Sequence, residues 1–265
     1  MKIDQEKLDF FQRWFQDYVR SFYSSDPHIQ KNIRLKEEHT WRVVDNSVRL
    51  AEALQLDTYS RHLAYAIGLF HDIGRFQQFS VYRTYRDGKS ENHARLGLKI
   101  LEETGLLNTL EAEEWELIEK AISYHNVCNL PSEESERVLL FSKWIRDADK
   151  LDSLGVIIHY FENRHREVNE AVEDYPDLPE YSQELVEDIL HNRNISYGNI
   201  KTVNDMKLTF LAWILDVNFP FTIQEMERKG YLQRLMSFLP QTEDMEKVRI
   251  HLQLHMERRK NSDLH

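Results

Sequence analysis

An all-α fold is what this sequence predicts, and two observations carry it. Apolar residues recur at steps of three and four along most of the chain, the spacing that lines one face of a helix. Glycine and proline are scarce, 8 and 6 in 265 residues. That composition suits long helices joined by short connections and disfavours turn-rich β architecture. At 31.8 kDa the chain is long enough for a sizeable core, as one large domain or one domain with a helical appendage.

The elements follow in order. Residues 4–23 place Leu8, Phe11, Phe15, Val19 and Phe22 on one stripe, and Ser24, Ser25, Asp26 and Pro27 end it. A second helix, roughly 35–54, carries Leu35, His39, Val43, Asn46 and Leu50 on one face, so His39 points inward. A third runs from about 59 to 72. It is an apolar run (Ala66, Ile67, Leu69, Phe70) that ends on His71 and Asp72, before Gly74 and Arg75. An imidazole and a carboxylate at the C-terminal end of a helix stand where the macrodipole favours a cation.

Residues 76–90 lose periodicity and hold Arg83, Tyr85, Arg86 and the turn signal Asp87-Gly88, which reads as an irregular cover over a site. A helix at 91–103 sets His93, Gly97 and Ile100 on one side, with Gly97 placed for a close approach of two backbones. The next, 111–125, leads through Trp115, Ile118 and Ile122 to His125. Another begins near Glu134, carries Val138, Ile145, Asp149 and Asp152 on one face, and runs on or kinks near Gly155. An acidic connector with two prolines spans 166–180, and further helices follow at 181–192, 204–217, 221–238 and 241–260. No internal repeat or low-complexity tract is present.

The formal net charge of −11 argues against nonspecific nucleic-acid binding, which needs a basic footprint. It leaves room for a small phosphorylated substrate in a pocket whose potential is reversed locally. The single cysteine, Cys128, excludes an internal disulfide framework and fits a reducing compartment. The N-terminus mixes charge with apolar residues unlike a signal peptide, and no apolar run approaches membrane-spanning length. The expectation is a soluble cytoplasmic protein.

His39, His71, Asp72, His93, His125 and Asp149 lie on or at the ends of expected helices, mostly beside apolar neighbours. Six buried polar groups are costly unless paired or metal-bound. Imidazole with carboxylate suits Fe, Mn, Co, Ni or Zn, whereas Mg alone favours an oxygen-richer set.

The order His39, HDIGR (His71, Asp72), NHARLG (His93), YHN (His125) and RDADKLD resembles the HD superfamily of metal-dependent phosphohydrolases, over about residues 35–160. The resemblance implies an HD-domain helical bundle with an additional C-terminal helical region. On that view 1–34 is an N-terminal helix packing on the bundle, 35–165 the metal-binding core and 166–265 the C-terminal extension. His39, His71, Asp72 and Asp149 correspond to the shared ligand set, with Asp147 and Asp152 as alternatives to Asp149. Asp152, on the same face, is also placed to orient a histidine. His93 and His125 match the extra histidines of a binuclear branch in which the aspartate of the His-Asp pair bridges two divalent ions. One ion would take His39, His71, Asp72 and Asp149, the other Asp72, His93 and His125. No GYP triplet follows His125, which sets the chain apart from the branch that cleaves cyclic dinucleotides.

The expected activity is hydrolysis of a phosphate ester or anhydride, of a nucleotide or another small phosphorylated metabolite, by metal-bound hydroxide. His71 and Asp72 stand at the reacting centre, and Arg75 and Lys150 are the candidates for gripping the phosphate. The competing readings are a helix-end surface cation for Arg75 and a structural ion pair for Lys150. The alternative activity is a di-iron oxygenase of inositol or phosphonate type, which resembles this ligand order. A third is a regulatory domain that binds a nucleotide without turnover. Arg83 and Arg86 are within reach of a phosphate if they are not simply solvated. Cys128 reads as a small core hydrophobe and His159 and His165 as core or surface residues. His251 and His255, one turn apart, read as exposed rather than as a metal pair. Phe210, Trp213 and Ile214 read as C-terminal core contacts, beside which a homo-oligomer interface stays open.

Overall fold

The computed structural model describes residues 2–164, 172 and 174–261. Helices and no strand occur among the described residues, as the composition requires. The chain divides into two compact units, Met1–Asp152 and Ser153–His265.

In the first unit, α1 (Gln5–Arg20) starts where the Asp4 side chain accepts the Lys7 N–H, and it buries Leu8, Phe11, Phe15 and Val19. Its phenyl rings meet three later helices: Phe11 lies 5.3 Å from Phe70, and Phe15 lies 5.3 Å from Trp41 and 5.9 Å from Phe76. Each such ring contributes roughly 1.5–3 kcal/mol by leaving water, so α1 fastens together the helices that carry the site. α2 (Pro27–Ala53) begins eight residues earlier than the spacing indicated. Asp26 ends the first segment and also caps the next, accepting from His28 and Ile29, with Pro27 at the first helical position. His39, Val43, Asn46 and Leu50 share the buried face as expected, but Leu35 is exposed.

α3 (Thr58–Phe70) is buried along its second half and is capped by His71 itself. The expected irregular stretch 76–90 is half helical: α4 (Gly74–Tyr82) occupies its start and a short 3₁₀ turn spans Asp87–Lys89. Phe76 and Phe79, one turn apart, supply the buried stripe that sustains α4, and Arg83 in the left-handed region (φ 57°) stops it. α5 (His93–Glu103) packs so tightly on α4 that a Cβ on Gly74 would stand 2.2 Å from the His93 carbonyl oxygen. Gly97 lies at the same crossing, as its position indicated, but Gly74 is the tighter residue. α6 (Ala112–Tyr124) ends on His125, and α7 (Glu136–Asn163) runs past Gly155 without a break. Two hydrogen bonds fix the register of α7 on α2: Trp144 Nε1 donates to the Ser47 carbonyl (3.2 Å) and Asn46 Nδ2 to the Ala148 carbonyl (3.1 Å). That register sets His39 opposite Asp149 and Asp152.

The boundary between units falls within α7. In the second unit, α8 (Gln183–Leu190) and α9 (Val203–Ala212) are tied by fully buried Asp205, which accepts N–H groups of Ser182, Lys201 and Thr202. Phe210 and Ile214 are buried and Trp213 is half-buried against Phe210. The expected helix 221–238 is two, α10 (Pro220–Arg228) and α11 (Tyr231–Met236), because Gly230 adopts φ +65° and ends the first. α12 (Glu243–Lys260) closes the described chain. Of the connector at 166–180, residues 172 and 174–180 are described without a helix of the length of its neighbours; the others, and His165, lie outside the described residues. No helix among the described residues is long and apolar enough to cross a membrane.

Candidate metal centre

Asp72 is the hub. It is buried, and its two carboxylate oxygens face two different pairs of histidines. Oδ2 lies 3.5 Å from His39 Nε2 and 3.8 Å from His71 Nε2. Oδ1 lies 3.3 Å from His93 Nε2 and 3.8 Å from His125 Nε2. Asp149 Oδ1 adds a donor 3.3 Å from His39 Nε2, with its side chain 26% exposed. Five of the six residues named from the sequence thus meet as two three-donor groups (His39, His71, Asp72 and Asp72, His93, His125) that share Asp72, and Asp149 joins them beside His39. Two of the donors, His71 and His125, cap the C-terminal ends of α3 and α6, where unpaired carbonyls favour positive charge.

The other ring nitrogen of every histidine is held. His71 Nδ1 donates to the Gly68 carbonyl (2.8 Å) and His125 Nδ1 to the Ile122 carbonyl (2.6 Å), each one turn back. His39 Nδ1 meets Asp152 Oδ2 at 2.7 Å, and Arg42 Nε braces that carboxylate at 2.6 Å. His93 Nδ1 meets Asp87 Oδ2 at 2.8 Å. Carbonyls and ionised carboxylates only accept, so each Nδ1 carries the hydrogen and each Nε2 of a neutral ring offers a lone pair.

Those lone pairs lack partners suited to them. His39 Nε2 and His71 Nε2 are buried without a hydrogen bond. His93 Nε2 and His125 Nε2 face each other at 2.9 Å. Burial pushes His93 down to about 4, helped by Arg75, and His125 down to about 4, helped by His71, so both rings are neutral near pH 7. Two acceptors in contact, beside a carboxylate that also only accepts, repel unless a cation lies among them. His39 responds in the opposite sense. Burial and Lys36 press it down, yet the Asp149, Asp152 and Asp72 carboxylates raise it to about 10. A proton is held there by a negative potential that suits a metal ion equally well. Burial alone would raise Asp72, but Lys36, His71 and Arg75 hold it well below the usual carboxylate range. Donor type, convergence and unpaired lone pairs all fit divalent metal.

Residues 37–154 match the HD domain family. The chain contains an HD domain. The match covers somewhat under half the chain and encloses all six donors together with Asp87 and Asp152. HD domains belong to a superfamily of metal-dependent phosphohydrolases, which agrees with the resemblance of the motifs. A bifunctional uridylyltransferase/uridylyl-removing enzyme of Cereibacter sphaeroides is 26% identical over 144 residues, 52% of this chain. The aligned part spans 14% of that relative's length. No solved structure matches the chain.

The remaining candidates fall out unequally. Arg75, 16% exposed, is no surface cation. Its guanidinium is shared among Asp72 Oδ1 (3.4 Å), Gln78 Oε1 (2.9 Å), the Tyr85 carbonyl (2.5 Å) and Asp87 Oδ1 (3.1 Å). Lys150 is half-buried on α7, next to Asp149. Asp147 is fully buried and outside the donor groups, while Asp152 sits behind His39 as its alternative role anticipated. Arg83 is exposed and Arg86 half-buried. Cys128, expected in the core, is exposed in the loop after α6. In α12, His251 Nε2 meets Asn192 Oδ1 at 3.1 Å, and both His251 and His255 are half-buried rather than exposed. His159 is exposed.

Three residues at the site carried no functional reading in the sequence. Lys36 donates to Asp72 Oδ2 at 2.8 Å and lies 5.5 Å from the Tyr85 ring centre. Its place one turn before His39 was the available signal. Asp87 read only as a turn residue. Gln78 read as loop, yet its side chain is entirely buried.

Proposed function

We propose that the chain hydrolyses a phosphate ester or anhydride of a small phosphorylated metabolite, a nucleotide among the candidates, at a centre built on Asp72. The observation that carries this reading is the set of four imidazole Nε2 atoms aimed at both oxygens of one buried carboxylate. His39, His71, Asp72 and Asp149 would hold one divalent ion, and Asp72, His93 and His125 a second. Such a pair, when bound, polarises a phosphoryl oxygen and lowers the pKa of a coordinated water.

The chain's own residues supply the rest. Asp152 and Asp87 fix the ring orientation and tautomer of His39 and His93. Lys36, with its side chain 17% exposed, spends one N–H on Asp72 and has two further donors to offer a phosphoryl oxygen. It is better placed for that task than Arg75, whose guanidinium is occupied by its own loop. Phosphoryl transfer asks mainly for positioning and charge neutralisation, which these groups provide. The relative is named in part for a uridylyl-removing activity, and the likeness over 144 residues supports a hydrolytic reading. It does not extend to that protein's substrate.

The test is phosphate release from a panel of nucleotides, nucleotidyl esters and sugar phosphates by metal-loaded protein, in air and without oxygen. Oxygen-independent release, abolished by chelator, is expected. No release from any compound would overturn the reading. Oxygen consumption with an inositol or a hydroxyphosphonate would replace it with the oxygenase.

A further inference from the structure

The four histidines of the centre are not anchored alike. His71 and His125 are held by carbonyls of their own helices, and His39 by Asp152 from α7. His93 alone takes its anchor from a connecting segment, the Asp87 carboxylate between α4 and α5. That segment is in turn fastened by buried Gln78, whose Nε2 lies 2.9 Å from Asp87 Oδ1, from Ser90 Oγ and from the Glu91 carbonyl. Arg75 adds its contacts to the Tyr85 carbonyl and Asp87 and reaches Asp72 on its other side. Asn126, next to His125, touches Asp87 Oδ2 at 3.4 Å.

We infer that Asp87 is a positioning residue through which the 83–92 segment sets the strength of one metal position, that of His93 and His125, leaving the other unaffected. The inference rests on the metal-centre reading above and goes beyond it by making the two positions unequal. With Asp87 in place, His93 keeps its hydrogen on Nδ1 and aims Nε2 at Asp72 Oδ1. If the segment moves away, the ring is free to turn or to exchange tautomers, and one of the three donors of that position is lost. The His39 and His71 rings take their anchors from Asp152 and the Gly68 carbonyl rather than from the segment, so that position keeps its donors. The segment also carries Tyr85, whose ring centre lies 5.5 Å from Lys36 Nζ.

The experiment is a calorimetric titration of chelator-stripped, full-length protein with Mn²⁺, for wild type, Asp87→Ala and Gln78→Leu. Wild type is expected to show a tight and a weaker binding event. Asp87→Ala should weaken the second roughly 10- to 100-fold, the usual effect of removing a group that orients a metal-binding histidine, with the first within twofold. Gln78→Leu, which touches no metal donor, should weaken the second event in the same direction by less. A ¹⁵N spectrum of the stripped protein should show His93 with hydrogen on Nδ1 in wild type and a mixture of tautomers in Asp87→Ala. Equal weakening of both events, or wild-type titrations from both variants, would overturn the inference. If wild type itself takes up fewer than two ions, the metal-centre reading fails instead, and the titration tells the two failures apart.

Discussion

Gly74→Ala is the substitution that joins fold and site most closely. A Cβ at that position would stand 2.2 Å from the His93 carbonyl oxygen and 2.6 Å from the Gly97 nitrogen. Both obstacles are backbone, so no side chain can swing aside. To restore ordinary contact, α4 and α5 must separate by about 1 Å in a region packed at crystalline density. Overpacking of this kind costs about 3 kcal/mol, the upper end of its usual range, since the strain cannot relax through a rotamer. For a chain of this size that corresponds to a fall in Tm of roughly 6–12 °C. Thermal melts followed by circular dichroism provide the assay. Gly88→Ala, where a Cβ meets nothing within 4 Å, is the control and should melt with wild type. Because the obstructing oxygen belongs to His93, the variant should also bind the second ion more weakly. A Gly74→Ala protein that melts within about 2 °C of wild type would refute the reasoning, since destabilisation near 3 kcal/mol could not go unseen.

Two further outcomes follow from individual side chains. Lys36→Met removes a charge-assisted donor and should lower kcat/KM for phosphate release roughly 10- to 100-fold at equal metal loading, with Lys36→Arg recovering part; an unchanged kcat/KM would contradict the role given to Lys36. His255 is pushed down to about 4 by burial, then by Arg259, His251 and Arg258, against about 6.5 in an unfolded chain. The unfolded state therefore takes up a proton that the folded state refuses, and stability is lost as pH falls from about 6.5 toward 4. Tm measured for wild type and His255→Gln should diverge in favour of the variant over that window, and parallel curves would refute the assignment.

What the sequence made legible was whatever burial forces into a pattern. The phenylalanines of α1 and the inward face of α2 had to follow helical spacing, because they pack against neighbouring helices. The six donors stood out because imidazole and carboxylate groups on apolar faces demand a partner. Less legible were residues whose purpose is local. α4 was hidden because Gln77, Gln78 and Ser80 dilute its apolar pattern, and buried Gln78 spends its amide on a loop rather than on solvent. Asp26 marks both the end of one segment and the cap of the next, so the start of α2 was placed too late. Asp87 beside Gly88 has the composition of a simple turn, and nothing in the linear order reveals that its carboxylate lies 2.8 Å from His93. Arg75 drew attention as a cation after the His-Asp pair, but only the folded loop shows how many acceptors surround it. Lys36 has no apolar context, so its approach to Asp72 across 36 residues had no signature beyond its spacing from His39.

The account turns on one carboxylate serving two cations, and elemental analysis of purified protein by mass spectrometry tests it most directly. Wild type should carry two divalent ions per chain, and Asp72→Ala, which removes the donor common to both groups, should carry fewer than one while keeping its helical circular dichroism. A wild-type protein that holds no metal after growth and dialysis with Mn, Fe, Co, Ni and Zn supplied, or an Asp72→Ala variant that still holds two ions, would contradict it.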